Sequence, residues 1–207
     1  MLLGFTRLKQ VKLTKCWSQL KIKSKMADLF KDFDVSKFKN KKPPGNKSLG
    51  TYKEIKELSN IKSDRKFVED KDDVFVAFKS VAEKNKIDYP TKLVKSLIDG
   101  SSDVILELKK FYKRSRPRVV AEEVGVELDD IELKTMKTPS YPSGHSAQGY
   151  LVGKVLSDKY PEASKDFMKE AKDISYSRNV AKAHYKSDSK FGDQLGVAMY
   201  EYVKDKI

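Results

Sequence analysis

The sequence predicts an all-α helical bundle. Three observations predict it. Nearly every periodic stretch beyond residue 47 spaces its apolar residues by three and four, Gly and Pro punctuate those stretches, and no convincing series alternates with the period of two that marks strands. With 207 residues and 39% apolar content the chain can bury one sizeable core. No internal repeat divides it.

Residues 1–47 read as a basic N-terminal arm and linker, and residues 48–207 as the helical domain. Residues 1–25 hold seven Lys/Arg and no acid, with Leu2, Leu3, Phe5, Leu8, Val11, Leu13, Trp17 and Leu20 interspersed. Arg7, Lys9 and Lys12 interrupt any apolar core of secretory-signal length, so this start has the look of an organelle transit peptide or a surface-binding helix. Initiation at Met26 is a third reading. The Lys-, Pro- and Gly-rich run from Lys37 to Lys47 reads as a linker. Helices are then expected over residues 74–85, 91–99, 103–115, 145–159, 162–182 and 189–204, with Gly100, Pro117 and Pro161 between them. Residues 117–142 are less regular and are expected near the mouth of any site.

The net charge of +13 suggests nucleic acid until it is mapped. Residues 1–53 carry fourteen Lys/Arg against three Asp, a net +11, which leaves +2 for residues 54–207. The basic excess therefore belongs to the arm, whose chemistry suits nucleic acid, an anionic membrane surface or an acidic partner. No stretch approaches the roughly 18–20 consecutive apolar residues of a membrane span. Cys16, the single cysteine, excludes an intrachain disulfide; with no secretory core, an intracellular location is favoured, organelle targeting included. Oligomeric state, homo-oligomers included, is left open.

The chemistry-bearing residues fall in three pieces. Lys109 precedes Arg116-Pro117, then comes Pro142-Ser143-Gly144-His145, then Ser177-Arg178 followed by His184 and Asp188. Both histidines of the chain lie in these pieces. A phosphomonoester cleaved without a metal needs cations around its non-bridging oxygens, which Lys109, Arg116 and Arg178 supply. It also needs a nucleophile and a proton donor. Asp188, four residues after His184, can hold one ring nitrogen and leave the other for attack. Ser143-Gly144 at a helix start offers backbone N–H groups to an anion, and His145 beside them, with no carboxylate close in sequence, suits a general acid.

Each residue alone has a plainer explanation. Lys109 and Arg178 sit on apolar stripes and invite a structural salt bridge, either histidine could be a hydrogen-bonded core residue, Asp188 could cap a helix beginning near Ser189, and Arg116 before Pro117 could end one. Two histidines and an aspartate also suit zinc, but three converging cations would repel a divalent ion. The combination favours the anion site.

The pattern Lys109 x6 Arg116-Pro117, Pro142-Ser143-Gly144-His145, Ser177-Arg178 x5 His184 x3 Asp188 resembles the phosphatidic acid phosphatase type 2 superfamily, which also includes vanadium haloperoxidases. The strings Ser140–Ala147 and His184–Asp188 look most like the soluble class A non-specific acid phosphatases. The resemblance covers roughly residues 100–200 with every signature position intact. It implies that family's helical bundle, a phosphohistidine at His184, protonation of the leaving group by His145, and phosphate binding by Lys109, Arg116, Ser143, Gly144 and Arg178. No metal or cofactor is implied; the substrate is a small phosphorylated molecule. A mildly acidic optimum, inhibition by vanadate and activity in chelator are expected. Alternatives are a peripheral phosphatase of lipid phosphates or isoprenyl diphosphates held at the membrane by the arm, a haloperoxidase, for which the chain is short, and a non-catalytic phosphate-binding or nucleic-acid-binding protein. Pure phosphate binding would not require His145, His184 and Asp188.

Overall fold

The computed structural model describes residues 29–207, and the elements found there are helical. In chain order they are α1 (Leu49–Ser59), α2 (Arg65–Lys71), α3 (Val74–Lys84), α4 (Thr91–Tyr112), α5 (Pro117–Val124), α6 (Gly144–Lys159), α7 (Ser164–Val180) and α8 (Lys186–Val203), with short 3₁₀ turns at Val35–Phe38 and Pro161–Ala163. Local chemistry starts many of them. Ser48, Asp64, Asp73 and Ser143 accept hydrogen bonds from backbone N–H groups in the first turns of α1, α2, α3 and α6, and Pro117 opens α5 at the position where a missing N–H costs nothing.

Helix α6 is the axis of the bundle, packed against α7 and α8 with α4 and α3 alongside. Phe78, Leu97, Leu108, Leu151, Leu156, Phe167, Ile174, Leu195 and Met199 fill the core, each contributing about 1.5–3 kcal/mol on burial. The approach of α8 to α6 depends on Gly192 and Gly196. A Cβ on Gly192 would stand 2.5 Å from the Ser143 carbonyl oxygen, and one on Gly196 would overlap that of Ala147. Backbone cannot yield as a side chain does, so Gly196→Leu is expected to lower stability by about 3 kcal/mol or more, measured as a fall in the urea midpoint. An unchanged midpoint would show that the two helices separate freely.

Two expectations change. Gly100 does not interrupt its helix: α4 runs unbroken from Thr91 to Tyr112, and the missing side chain admits the Phe30 ring, 3.2 Å from where a Cβ would lie. Residues 29–47, expected as arm and linker, pack on the helical body. Phe30 is buried and stacks on Tyr202, the Phe38 carbonyl accepts from the Tyr112 hydroxyl at 2.5 Å, and the Lys41 carbonyl accepts from Tyr141 at 2.7 Å. Apolar aromatic surface outweighs the lysines around it. The targeting-type segment, Cys16 and Met26 lie outside the described residues. Helices α1, α2 and α5 were not expected as separate elements. Among the described residues no helix is long and apolar enough to cross a membrane.

Candidate functional site

Six of the eight expected residues line one cavity of about 200 Å³: Lys109, Arg116, Gly144, His145, Arg178 and His184. Each arrives from a different local device. Lys109 and Arg178 occupy the last turns of α4 and α7, where cations complement the carbonyl end of a helix. Arg116 is the extended residue before Pro117 and starts α5 rather than ending α4. Gly144 and His145 are the first two residues of α6, and among the described residues their N–H groups have no partner, which leaves two donors at the positive end of the helix beside the cavity. Thr135, Met136 and Thr138, from the irregular segment after α5, form part of the wall.

His184 sits in the tight turn between α7 and α8. Its N–H and that of Ala183 both reach the Arg178 carbonyl, at 3.2 and 3.0 Å, and Lys182 adopts a left-handed φ of 56°. The buried Lys182 ammonium ties the turn to the Ile61 and Val180 carbonyls and to Ser63. Arg116 Nη1 lies 3.0 Å from His184 Nε2. A guanidinium only donates, so Nε2 holds the lone pair and the proton sits on Nδ1, 3.3 Å from Asp188 Oδ2. Asp188 is fully buried. Its Oδ2 also accepts from the Ser140 hydroxyl and the Tyr185 N–H, and its Oδ1 from Arg114 at 2.6 Å.

Ser143 is placed differently from expectation. It lies beneath the cavity, its N–H is engaged by the Asp188 carbonyl at 3.1 Å, and its hydroxyl caps α6 while accepting from Ser146 at 2.8 Å. The unpartnered N–H groups beside the cavity are therefore those of Gly144 and His145, one residue further along. His145 does have an acidic neighbour, though a distant one in sequence. Its Nε2 donates to the Asp72 carbonyl at 2.9 Å and lies 3.5 Å from the Asp72 carboxylate, which pairs with Arg178 at 2.7 Å.

Asp72 and Arg114 were missed by the sequence reading. Asp72 and Asp73 sit together between α2 and α3; Asp73 caps α3, which leaves Asp72 for the site, and a doubled acid before one helix start was the available signal. Arg114 lies two positions before Arg116 in a stretch without helix, and nothing local distinguishes its role.

Cations crowd the site. Burial, then Arg116, Lys109, His145 and Arg178, push the His184 imidazole well below its usual range. Burial and Arg178 bring His145 down to about 4, and burial and Arg116 bring Lys109 down to about 7. Unfolded imidazoles near 6.5 bind protons that the folded ones refuse. The imidazoles' share of stability is therefore full above about pH 6.5 and falls as the pH drops toward 4, by up to about 1.4 kcal/mol per unit for each imidazole. A bound dianion reverses the penalty. Sulfate, doubly charged throughout, is expected to raise Tm more at pH 4.5 than at pH 7 by calorimetry; an equal rise would contradict these electrostatics. Among the described residues no group of three or more His, Cys, Asp and Glu is arranged to hold a metal ion.

No family model matches the chain. The chain is similar to non-specific acid phosphatases: 35% identical over 92 residues to that of Salmonella typhimurium and 34% over 92 residues to that of Salmonella typhi, in each case 44% of this chain and 36% of the relative. A third, from Providencia stuartii, is 32% identical over 98 residues, 47% of this chain and 39% of the relative. The chain thus spans well under half the length of the curated relatives it matches.

Proposed function

We propose that the protein is a metal-independent phosphatase that hydrolyses phosphomonoesters through a phosphohistidine at His184. The observation that carries the proposal is the setting of His184: Nδ1 lies 3.3 Å from Asp188 Oδ2 and Nε2 lies 3.0 Å from Arg116 Nη1, in a cavity walled by Lys109, Arg116 and Arg178. Similarity to non-specific acid phosphatases supports the same chemistry.

In the first step Nε2 forms a bond to phosphorus, the ester P–O bond breaks, and the departing oxygen takes a proton from His145. His145 Nε2–H is committed to the Asp72 carbonyl, so the transferable proton is the one on Nδ1. In the second step His145 takes a proton from water, the new O–P bond forms and the N–P bond breaks. Lys109, Arg116, Arg178 and the Gly144 and His145 N–H groups hold the phosphoryl oxygens throughout, which replaces the charge a metal would supply. His145 is neutral above about pH 4 in the empty site, and the arriving dianion offsets Arg178 and Lys109 and draws a proton onto it. An acidic optimum is expected from this. His184 stays neutral and nucleophilic in that range.

Hydrolysis of p-nitrophenyl phosphate by the full chain in excess chelator, compared with His184→Ala, tests the reading. Activity that chelator abolishes would sink it.

A further inference from the structure

We infer that Arg114 and Glu54 are a positioning pair for Asp188, fixing its carboxylate so that His184 presents Nε2 to phosphorus; the inference rests on the phosphatase reading above. Neither residue lines the cavity, so neither touches substrate. Arg114 is 3% exposed and locked on several sides. Its Nη1 reaches Asp188 Oδ1 at 2.6 Å and the Ser187 hydroxyl at 2.7 Å, its Nη2 reaches Glu54 at 2.7 Å and Thr51 at 3.3 Å, and its guanidinium lies 3.8 Å from the Tyr185 ring centroid. Glu54 in turn accepts from the Ser187 N–H at 2.8 Å and its hydroxyl at 3.0 Å. Helix α1 thereby grips the first turn of α8 just before Asp188.

The division of Asp188's oxygens is the functional point. Arg114 claims Oδ1, so Oδ2 alone is turned to His184 Nδ1, Ser140 and the Tyr185 N–H. A carboxylate without that grip can rotate and exchange oxygens, and the imidazole loses its fixed orientation. Glu54 balances the Arg114 charge. Asp188 pairs buried against Arg114, an arrangement that gives little net stability over apolar residues, which points to positioning instead.

A fall in kcat without a fall in vanadate affinity separates positioning from mere structural support. The groups facing His184 are Lys109 from α4, Arg116 at the start of α5, His145 from α6, Arg178 from α7 and Asp188 from α8, and none is altered by changing the pair. The test uses Arg114→Gln, Arg114→Lys and Glu54→Gln in the full chain, with kcat and KM for p-nitrophenyl phosphate from pH 4 to 8 and the Kd of vanadate. Arg114→Gln is expected to lower kcat about 10- to 100-fold, with KM and the vanadate Kd within about threefold. Arg114→Lys, with one charge and no fork, should recover only part. Glu54→Gln should lower kcat less than Arg114→Gln does, again with KM and the vanadate Kd within about threefold.

Unchanged kcat in the variants, or kcat lost together with vanadate affinity, would overturn the pair's role and leave the phosphatase reading standing. An inactive wild type would overturn that reading and this inference with it. Arg114→Gln leaves two buried carboxylates facing each other, and where it fails to fold, Glu54→Gln decides the matter through a fall in kcat at an unchanged vanadate Kd, because the amide oxygen can still accept from Arg114.

Discussion

His184→Ala is expected to lower kcat for p-nitrophenyl phosphate by about 10⁴-fold or more while leaving the fold intact. The imidazole is the group that would bond to phosphorus, and its neighbours cannot substitute at acidic pH: Arg116 only donates hydrogen bonds, Lys109 is an ammonium below its lowered value of about 7, and Asp188 lies behind with both oxygens engaged. The cavity would keep its cations. Vanadate binding should therefore survive in weakened form, which distinguishes loss of the nucleophile from loss of the site. Activity within about tenfold of wild type, by steady-state assay, would mean that water attacks directly.

His145→Ala is expected to separate substrates by leaving group. General acid catalysis is worth about 10²–10⁴-fold where the departing oxygen is strongly basic, as in glycerol 2-phosphate, and far less for p-nitrophenolate, which leaves unprotonated. With p-nitrophenyl phosphate the variant should still phosphorylate His184. The second step lacks its base, so a stoichiometric burst of p-nitrophenol followed by slow turnover is expected in stopped flow, and no burst from wild type at its optimum. Equal losses on both substrates with no burst would give His145 a binding role only.

The legible part of this molecule is local. Apolar spacings mark α3, α4, α6, α7 and α8, and three short strings contain the residues that meet at the cavity, because helix ends and turns place Lys109, Arg116, His145, Arg178 and His184 by rules acting over a few residues. The illegible part is long-range. Asp72 is 106 positions from Arg178, and Glu54 is 60 from Arg114, so their pairing is decided by how α1, α2 and α3 dock, which no spacing encodes. The short helices α1 and α2 were missed although Ser48 and Asp64 carry the cap signal and Ile55, Leu58 and Val68 are buried. Gly100 misleads because a residue that ends many helices serves here to admit Phe30. Ser143 misleads by one position, since the cap hydroxyl that starts α6 is itself consumed by the helix.

The central claim is a covalent bond between His184 Nε2 and phosphorus. Rapid quench of the full-length protein with phosphate-labelled substrate into alkali, followed by peptide mapping, tests it directly, because a phosphohistidine survives base and is lost in acid. The account predicts a label on the peptide containing His184, formed at least as fast as turnover, increased in His145→Ala and absent from His184→Ala. Full turnover with no labelled histidine at any time point would contradict it.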